Sequence, residues 1–300
     1  MSVYDCFTFY NEFELLELRL RALWDVVDCF VIVEANRKHN GEPKNFLLRE
    51  LYESSPKIRC ISVDLSNVPY GGAGDWAMEI AQRNAIAYGL EDAAPDDLIL
   101  IGDADEIIAP DVFRRLRENQ IELFAPTVVP VTIADKSVTC PAWLTVPATE
   151  FLEYGAIVME QSFHYYYFDW VSKTSWQGTI MTKCKNLTTP QALRELRNVL
   201  PRVVNGGYHF SYMGGADRVI DKMTSIVEGN QYVVQSGGKF IDRQHVEESL
   251  SRGTDLYGRT HISEAQLLPF DAHKITLPHV EEFLRKYPNF LREPEKYFDT

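Results

Sequence analysis

Four short apolar runs in the first third of the chain, each followed by polar residues, constrain the fold more than any other feature of the sequence. They lie at 3–9, 29–36, 58–65 and 98–102, and segments with helical periodicity lie between and after them. Strands and helices in repeated alternation predict an α/β fold, with a mostly parallel central sheet flanked by helices. The run at 98–102 is continuously apolar, as expected of a strand that helices cover on both faces.

Helix signals accompany these strands. Glu12–Leu23 is rich in leucine, and Asp75–Tyr88 begins with an aspartate suited to an N-cap. A third helix is expected to begin at Pro110-Asp111, because proline fits the first helical turn. In parallel sheets ligands bind at the carboxyl ends of the strands, so the polar residues that follow these strands are candidates for a site.

Beyond residue 120 the pattern changes to aromatic-rich strands and shorter helices. The predicted elements are strands at 124–133 and 156–168, a helix at 190–199, a glycine-rich loop at 205–215, a helix at 217–227 and a short helix within 278–300. No low-complexity tract or clear linker interrupts the sequence. We therefore predict one domain over residues 1–230, with halves 1–120 and 121–230, and a helical C-terminal extension (231–300) packed on it.

Charge and composition limit the classes of partner. The chain has 43 acidic and 30 basic residues, a formal net charge of −13 and no basic cluster, so nucleic-acid binding is not expected. No stretch reaches the roughly 20 apolar residues of a transmembrane segment, and the N-terminus lacks the pattern of a signal peptide. The five cysteines are widely spaced without a CxxC pair, which favours reduced thiols and a cytoplasmic protein.

Asp103, Asp105 and Glu106 directly follow an apolar strand, in the stretch LILIGDADE. Three carboxylates so close together repel one another unless a positive charge lies between them. Two carboxylates separated by one residue can bind Mg²⁺ or Mn²⁺ together, and such a cation offsets the charge of a diphosphate. Acids after a strand can also cap the next helix or face solvent, so the tripeptide alone leaves both interpretations open.

Arg83 lies on the predicted helix before this strand, where its guanidinium could reach a phosphate held by the cation. A solvated helix arginine is the alternative. The order of helix, turn, buried strand and DxD resembles the nucleotide-sugar-binding half of glycosyltransferases with the GT-A fold.

A longer resemblance covers most of the chain. From Tyr4 to Ser225 the sequence resembles glycosyltransferase family 17. The residues that carry the resemblance are YDCFTFYNEFELLELRLRALWDVVDCFVIVEAN (4–36), GEPK (41–44), Gly71-Gly72, Trp76, DDLILIGDADEI (96–107), GGYHFSY (206–212) and Lys222 with Ser225.

Membership of this family implies a GT-A fold, a UDP-sugar donor (UDP-GlcNAc above all), a glycan acceptor, Mn²⁺ or Mg²⁺, and transfer with inversion to a β linkage. Residues 1–120 would be the nucleotide-sugar-binding half and residues 121–230 the acceptor half. Asp103 and Asp105 match the family's metal motif, and His209 is a candidate third ligand, with a hydrogen-bonded core histidine as the alternative. The candidates for donor binding are Tyr10, Asn11, Glu34, Arg83, Asp103 and, for the diphosphate, Lys222.

An inverting transfer needs a general base that takes the proton of the acceptor hydroxyl. Asp217 is the candidate, because it begins a predicted helix just after the His209 segment. An aspartate at this position is also an ordinary N-cap. Asp169 and Glu150 are alternative bases that the sequence does not separate from Asp217.

Two other functions compete with a glycosyltransferase. A nucleotidyltransferase or UDP-sugar pyrophosphorylase also places acids at a sheet edge, but such enzymes usually carry a glycine-rich basic loop that FTFYNEFELL lacks. A non-catalytic carbohydrate-binding protein would be expected to have a broken acid cluster, whereas Asp103, Asp105 and Glu106 are all present.

Overall fold

The computed structural model describes residues 1–52, 55–125, 131–133, 136–138, 143–144, 146–259 and 267–298. The described strands, β1–β14, are Val3–Phe9, Cys29–Ala35, Ile58–Val63, Leu98–Asp103, Glu106–Ile108, Leu123–Phe124, Val131–Ile133, Lys136–Val138, Trp143–Leu144, Ala156–Tyr165, Trp170–Val171, Trp176–Lys183, Arg202–Ser211 and Leu268–Pro269. The described α-helices, α1–α11, are Phe13–Leu23, Arg49–Tyr52, Ala77–Asn84, Asp111–Arg117, Ala148–Phe151, Pro190–Glu195, Ala216–Ser225, Val227–Gln235, Arg243–Arg252, Val280–Lys286 and Pro294–Phe298.

One sheet runs through the molecule in the order β3-β2-β1-β4-β12-β10-β13-β6-β9. The first four of these strands are parallel, as the alternation of strands and helices in the first half predicts. β12 runs antiparallel to β4 and to β10, while β13 is parallel to β10. The predicted α/β fold with a central sheet and flanking helices is confirmed, and the second half of the chain adds mixed pairing to the parallel part.

β4 is covered on both faces, which explains its continuous apolar sequence. Leu98 and Leu100 belong to one buried cluster with the leucines of α1, and Ile99 and Ile101 belong to a second cluster with the 3₁₀ segment Ala85–Gly89. The first cluster also contains aromatic and aliphatic side chains from the last thirty residues, including α10. The C-terminal segment therefore shares the core of the first half of the chain.

The segment 205–215 is predicted as a glycine-rich loop, and this prediction is wrong for most of its length, because β13 extends over Arg202–Ser211. Gly207 has a φ of +141° and lies so close to β5 that an added Cβ would be 2.2 Å from the carbonyl oxygen of Ile107. Glycine is required at this approach, and the register of β13 against β10 shifts there. His209 consequently lies on a strand.

Several helices are shorter than their periodicity predicts. α3 begins after Trp76 rather than at Asp75, whose carboxylate instead accepts hydrogen bonds from the backbone N–H groups of Gly71 and Ala77. The helix predicted at 190–199 is α6 followed by a 3₁₀ turn at Leu196–Asn198. The N-cap of α7 is Gly215, so Asp217 lies in the first turn and is not the cap.

The strand predicted at 124–133 lies partly outside the described residues, since 126–130 are not among them. Its ends belong to β6 and β7, which pair in different sheets. The aromatic strand predicted at 156–168 is β10, which ends at Tyr165. Within the described ranges, no helix has the length and apolar character needed to cross a bilayer.

Candidate functional site

The turn between β4 and β5 carries the acidic residues, and a buried arginine of α1 holds its backbone. Nη1 of Arg19 donates to the carbonyl oxygens of Asp103 (2.6 Å) and Glu106 (3.0 Å). Nε and Nη2 of the same side chain bind the Asp5 carboxylate of β1 at 2.8 and 2.6 Å. Both members of this ion pair are fully buried, so the turn is anchored to the core. Arg19 is missing from the sequence predictions, although an arginine on the leucine-rich side of a helix is a signal of such a contact.

Two arginines from different helices bind the side chain of Asp103. Arg83 of α3 donates to Oδ1 at 3.1 Å, and Arg194 of α6 donates to Oδ2 at 2.8 Å. Burial alone would raise the pKa of Asp103, but the Arg194 and Arg83 guanidinium groups hold it well below its ordinary value. Asp103 is therefore ionised, and its charge is compensated from within the chain.

Asp105 is nearly buried and is paired with a lysine of α7. Nζ of Lys222 lies 2.6 Å from Oδ2 of Asp105, and Nε2 of His209 lies 3.5 Å from Oδ1. Burial would raise the pKa of Asp105, whereas Lys222 and His209 lower it well below its ordinary value. Burial would lower the pKa of Lys222, but the neighbouring carboxylates, Asp105 first, raise it. The pair is therefore ionic.

Glu106 is fully buried and completes the acidic turn. Its Oε1 accepts hydrogen bonds from Arg194 and from Nε1 of Trp176 (2.7 Å), and its Oε2 accepts one from the backbone N–H of Asp103 (3.2 Å). Arg194 thus bridges two acids of the turn. The positive charge that the three carboxylates require is supplied by Arg83, Arg194 and Lys222.

Arg197 is a further cation beside this cluster. Its guanidinium lies over the ring of Trp176 at 4.6 Å, and burial together with Arg194 lowers its pKa. Among the described residues, no carboxylate or carbonyl oxygen lies within hydrogen-bond distance of its side chain. Arg194 and Arg197 are absent from the sequence predictions. The sequence signal for them is that they lie three residues apart in LRELR, which places both arginines on one side of α6 and the turn that follows it.

His209 packs against two aromatic rings that also contact each other. Its ring centroid lies 4.9 Å from that of Phe163, with an interplanar angle of 8°, and 4.6 Å from that of Trp176. Nδ1 is buried and has no hydrogen-bond partner, so Nε2 is the nitrogen that interacts with Asp105. The structure therefore places His209 beside one of the two acids of the DxD pair, as the predicted ligand set requires.

The predicted metal ligands fit a divalent cation by chemistry, because carboxylate oxygens and an imidazole suit Mn²⁺ and the carboxylates suit Mg²⁺. Asp105 and His209 lie together, but both oxygens of Asp103 accept hydrogen bonds from arginines. In the part of the chain that the structure describes, no three His, Cys, Asp or Glu side chains are grouped so that they could hold a metal ion. The predicted set of three ligands is thus not assembled in this arrangement, and a metal remains a prediction.

Tyr10 and Asn11, at the end of β1, meet an acid that the sequence analysis missed. Asp221 of α7 accepts hydrogen bonds from the Tyr10 hydroxyl (3.1 Å) and from Nδ2 of Asn11 (2.7 Å). Oγ of Ser225, one turn further along α7, donates to the Tyr10 hydroxyl at 3.0 Å. Asp221, Lys222 and Ser225 therefore bring one side of α7 to the carboxyl end of the sheet.

Glu34 is buried, and both of its oxygens are engaged within the protein. Nζ of Lys44 lies 2.7 Å from Oε1, and the backbone N–H groups of Leu47 and Leu48 donate to Oε2 at 2.8 and 3.0 Å. These contacts hold the loop after β2 against the sheet. The structure gives Glu34 this role, and its contact with the donor stays a prediction.

Arg83 lies beside the acidic turn, as predicted, but it is buried and engaged on three sides. Besides Asp103, it donates to Glu79 on its own helix at 2.8 Å and to Gln191 of α6 at 2.6 Å. It is therefore not the solvated helix arginine that the sequence left open. Its contact with a phosphate stays a prediction.

The three candidate bases lie apart from the acidic turn. The Asp217 side chain is 84% exposed and pairs with Arg243 of α9. Asp169 accepts a hydrogen bond from the backbone of Arg292 at 2.9 Å, and burial raises its pKa. Glu150 is exposed on α5. No hydrogen bond or ion pair of the described residues joins any of the three to the turn, and Asp217 as the base stays a prediction.

At the carboxyl edge of its parallel strands, this α/β protein carries carboxylates that are paired with two buried arginines and a lysine. The family model described as Glycosyltransferase family 17 matches residues 1–123, which include β1–β4 and the whole acidic turn. This match confirms the resemblance to glycosyltransferase family 17 for residues 1–123.

Curated relatives match a similar part of the chain. The β-1,4-mannosyl-glycoprotein 4-β-N-acetylglucosaminyltransferase of Homo sapiens is 35% identical over 126 residues, which cover 38% of this chain and 24% of that protein. The protein of the same name from Rattus norvegicus is also 35% identical over 126 residues, with 38% and 23% covered. The match thus spans about a quarter of the length of these relatives.

Two solved structures resemble the fold distantly. S. aureus TarS 1–349 has a TM-score of 0.32 and 11% identity, with 87% of this chain and 72% of that chain covered. The inositol-1-phosphate CTP transferase from T. maritima has a TM-score of 0.30 and 8% identity, with 71% and 86% covered. These scores are too low to support any argument about this chain.

Proposed function

We propose that this protein is a glycosyltransferase that moves GlcNAc from UDP-GlcNAc onto a glycan hydroxyl, with inversion at the sugar carbon and a β linkage in the product. The family match over residues 1–123 and the names of the relatives support the type of reaction and the sugar. The observation that carries the proposal is the acidic turn at the carboxyl edge of the sheet, with buried cations that a diphosphate can bind.

Arg197 and Lys222 are the cations best suited to the diphosphate. The Arg197 guanidinium has no acceptor among the described residues and lies over Trp176, beside the pair of Arg194 and Glu106. Lys222 reaches the turn from the opposite half of the chain, through α7. A guanidinium can donate two parallel hydrogen bonds to a phosphate, whereas an ammonium acts as a compact positive charge.

A recess at the carboxyl ends of β2 and β3 is the proposed binding site of the nucleoside. It has a volume of about 380 Å³ and is lined by Arg37, Ser66, Tyr70 and Met78, among others. This volume falls within the roughly 300–1,000 Å³ of small-molecule pockets. Met78 belongs to α3, the helix that carries Arg83 to the acidic turn, so the recess and the turn lie along one edge of the sheet.

A divalent cation is part of this proposal. Asp105 and His209 are the residues that would hold Mn²⁺ or Mg²⁺, with Asp103 as the further carboxylate of the predicted motif. Such a cation would offset the negative charge that develops on the UDP leaving group. The chain's own contribution to that charge is the set of arginines and the lysine around the turn.

Inversion also requires a base for the acceptor hydroxyl. Asp217 stays our candidate, with Asp169 and Glu150 as alternatives. Asp217 is exposed on the first turn of α7, and its carboxylate is paired with Arg243.

The experiment is a transfer assay with UDP-GlcNAc, UDP-galactose and UDP-glucose, each with a panel of glycans and Mn²⁺, followed by mass spectrometry of the glycans. We expect UDP release and addition of one HexNAc from UDP-GlcNAc. The variant Arg197→Met should weaken UDP binding and leave uridine binding unchanged, whereas Arg117→Met, at an exposed position of α4, should change neither.

Two results would point to other functions. Formation of UTP from a UDP-sugar and pyrophosphate would indicate a pyrophosphorylase. Binding of a glycan without turnover of any nucleotide sugar would indicate a carbohydrate-binding protein. Either result would contradict the proposed transferase.

A further inference from the structure

We propose that the Lys222 ammonium and a divalent cation compete for Asp105, so that the cation binds together with the nucleotide diphosphate and only weakly before it. The competition between Lys222 and the cation does not depend on the proposed function. Only the effect of a diphosphate on this competition rests on that function.

The first argument is the geometry of the pair. Nζ of Lys222 lies 2.6 Å from Oδ2 of Asp105, and the side chains are only 20% and 6% exposed. His209 faces the other oxygen at 3.5 Å. A cation that binds Asp105 therefore has to displace the ammonium, or to remain beside it in a poorly solvated position where like charges repel strongly.

The second argument is that the lysine is held in place. It extends from the middle of α7, and its ammonium also lies 5.5 Å from the ring of Tyr212. The neighbouring residues Asp221 and Ser225 bind the Tyr10 side chain, which fixes this side of α7 against β1. The helix cannot move Lys222 away without breaking these contacts.

The third argument is that, among the described residues, the other carboxylates beside the ammonium already accept hydrogen bonds. Asp103 binds Arg83 and Arg194, and Glu106 binds Arg194 and Trp176. The Glu12 carboxylate accepts hydrogen bonds from the backbone N–H groups at the end of β1. Loss of the Asp105 contact thus takes the ion-pair partner from a lysine whose side chain is only 20% exposed, which is costly.

A nucleoside diphosphate removes this conflict, because its phosphate oxygens can accept the ammonium and ligate the cation at once. Lys222 then exchanges Asp105 for a phosphate. Binding of the cation and of the diphosphate is therefore cooperative, and by linkage each increases the affinity of the other by the same factor.

The test measures Mn²⁺ binding to the full chain without any sugar donor, by calorimetry and by the EPR signal of free Mn²⁺. We expect weak binding by the wild type, and binding at least about tenfold tighter by Lys222→Met, because the competing charge and its repulsion are gone. The control is Lys239→Met, which removes an exposed lysine far from the acidic turn in the sequence. This variant should bind Mn²⁺ like the wild type.

Two further variants serve as controls for the measured Mn²⁺ binding. Circular dichroism and thermal melting show whether Lys222→Met is folded. Lys222→Gln keeps a hydrogen-bond donor beside Asp105, should show the same gain in Mn²⁺ affinity, and replaces Lys222→Met if that variant folds poorly. In the double variant Lys222→Met with Asp105→Asn the gain in Mn²⁺ affinity should vanish, because the carboxylate that binds the cation is removed. Addition of UDP should tighten Mn²⁺ binding in the wild type by about tenfold or more and in Lys222→Met by much less.

Tight Mn²⁺ binding by the wild type alone, or no gain in the folded Lys222 variants, would overturn the competition. A chain that shows the gain but does not bind UDP or transfer a sugar would count against the proposed function and not against the competition for Asp105.

Discussion

The charge of Asp105 depends on two side chains that reach it from other elements, Lys222 from α7 and His209 from β13. Repulsion within the acidic turn, which the spacing of the acids suggests, is compensated by these groups and by the arginines at Asp103. Removal of one carboxylate consequently leaves a buried cation without its partner instead of relieving strain between acids.

The variant Asp105→Asn should therefore lower the stability of the metal-free protein. Breaking a buried ion pair by removal of one partner costs about 3–5 kcal/mol, and the remaining exposure of Lys222 places the expected loss at the lower end of this range. Urea unfolding gives the free energy. Glu91→Gln, at an exposed position, is the control, and a stability of Asp105→Asn equal to or above that of the wild type would show that repulsion dominates.

Asp217 allows a second test at the scale of single residues. Its carboxylate is exposed and paired with Arg243, so Asp217→Asn should leave the melting temperature near the wild-type value. If Asp217 is the base, as proposed, the variant should lower transfer by roughly 10²–10⁴. The measurement is the rate at saturating donor and acceptor, and a rate near the wild-type value would exclude Asp217 and leave Asp169 and Glu150 as candidates.

His164 predicts how stability changes with pH. It is fully buried, its Nδ1 donates to the carbonyl of Phe168 at 2.8 Å, and Oγ of Ser162 lies 3.0 Å from Nε2. Burial lowers its pKa from 6.5 to about 4, and the bond to Phe168 offsets only part of this. The unfolded chain therefore takes up the proton first, so the stability due to neutral His164 is complete above about pH 6.5 and is lost as the pH falls toward 4.

The total loss from this histidine is on the order of 3 kcal/mol. Unfolding free energies measured between pH 7 and pH 4.5 should decline more steeply in the wild type than in His164→Gln, which can still donate to Phe168 but does not titrate. Parallel curves for the two proteins would mean that His164 does not control this part of the profile.

At the scale of elements, Arg19 joins α1, β1 and the turn after β4. Its guanidinium binds Asp5 and three carbonyl oxygens of the acidic turn, and it lies 4.1 Å from the ring centroid of Phe7. The backbone of the turn thus depends on a helix that contributes no side chain to the ligand site. A helix and two strands are held in one geometry by a single buried cation.

We expect Arg19→Met to lower the free energy of unfolding by about 3–5 kcal/mol, because the Asp5 carboxylate stays buried without a partner. The double variant Arg19→Met with Asp5→Leu should be more stable than Arg19→Met alone, since it removes the unpaired charge as well. Urea unfolding of the single and double variants measures this coupling. If the second substitution adds further instability, the arginine acts through its packing and not through the ion pair.

At the scale of the whole molecule, the sheet does not stop where the family match ends. β4 pairs with β12, and the buried cluster that contains Ile99 and Ile101 also contains Val158 and Ile180 from the second half. The acids of the turn lie within residues 1–123, whereas Arg194, Arg197, His209 and Lys222 come from beyond them.

A fragment of residues 1–123 should therefore not fold by itself. Its β4 would expose one edge and the apolar faces that the second half and the C-terminal helices cover in the full chain. We expect poor dispersion in its NMR amide spectrum and no cooperative thermal transition, in contrast to the full chain. A cooperative transition of the fragment would show that the first half is an independent folding unit.

The sequence by itself determined the parallel half of the sheet and the place of the acidic turn. Both follow from local patterns: continuous apolar runs for strands covered on both faces, and acids immediately after the run of β4. The predictions from the sequence were weaker where the same sequence pattern occurs in two kinds of structure. The glycines at 206 and 207 indicate a loop by composition, yet they lie within β13, because a neighbouring strand approaches too closely for a side chain.

Only the tertiary structure decided which charges meet. Arg194 binds Asp103 across 91 residues of sequence, and Lys222 binds Asp105 across 117. Such pairs depend on how α6 and α7 pack against the carboxyl edge of the sheet, and no local periodicity records that packing. The strength of an ion pair also depends on burial, which is a property of the folded chain. The acids, Arg83 and Lys222 could therefore be named from the sequence, but which cation binds which acid could not.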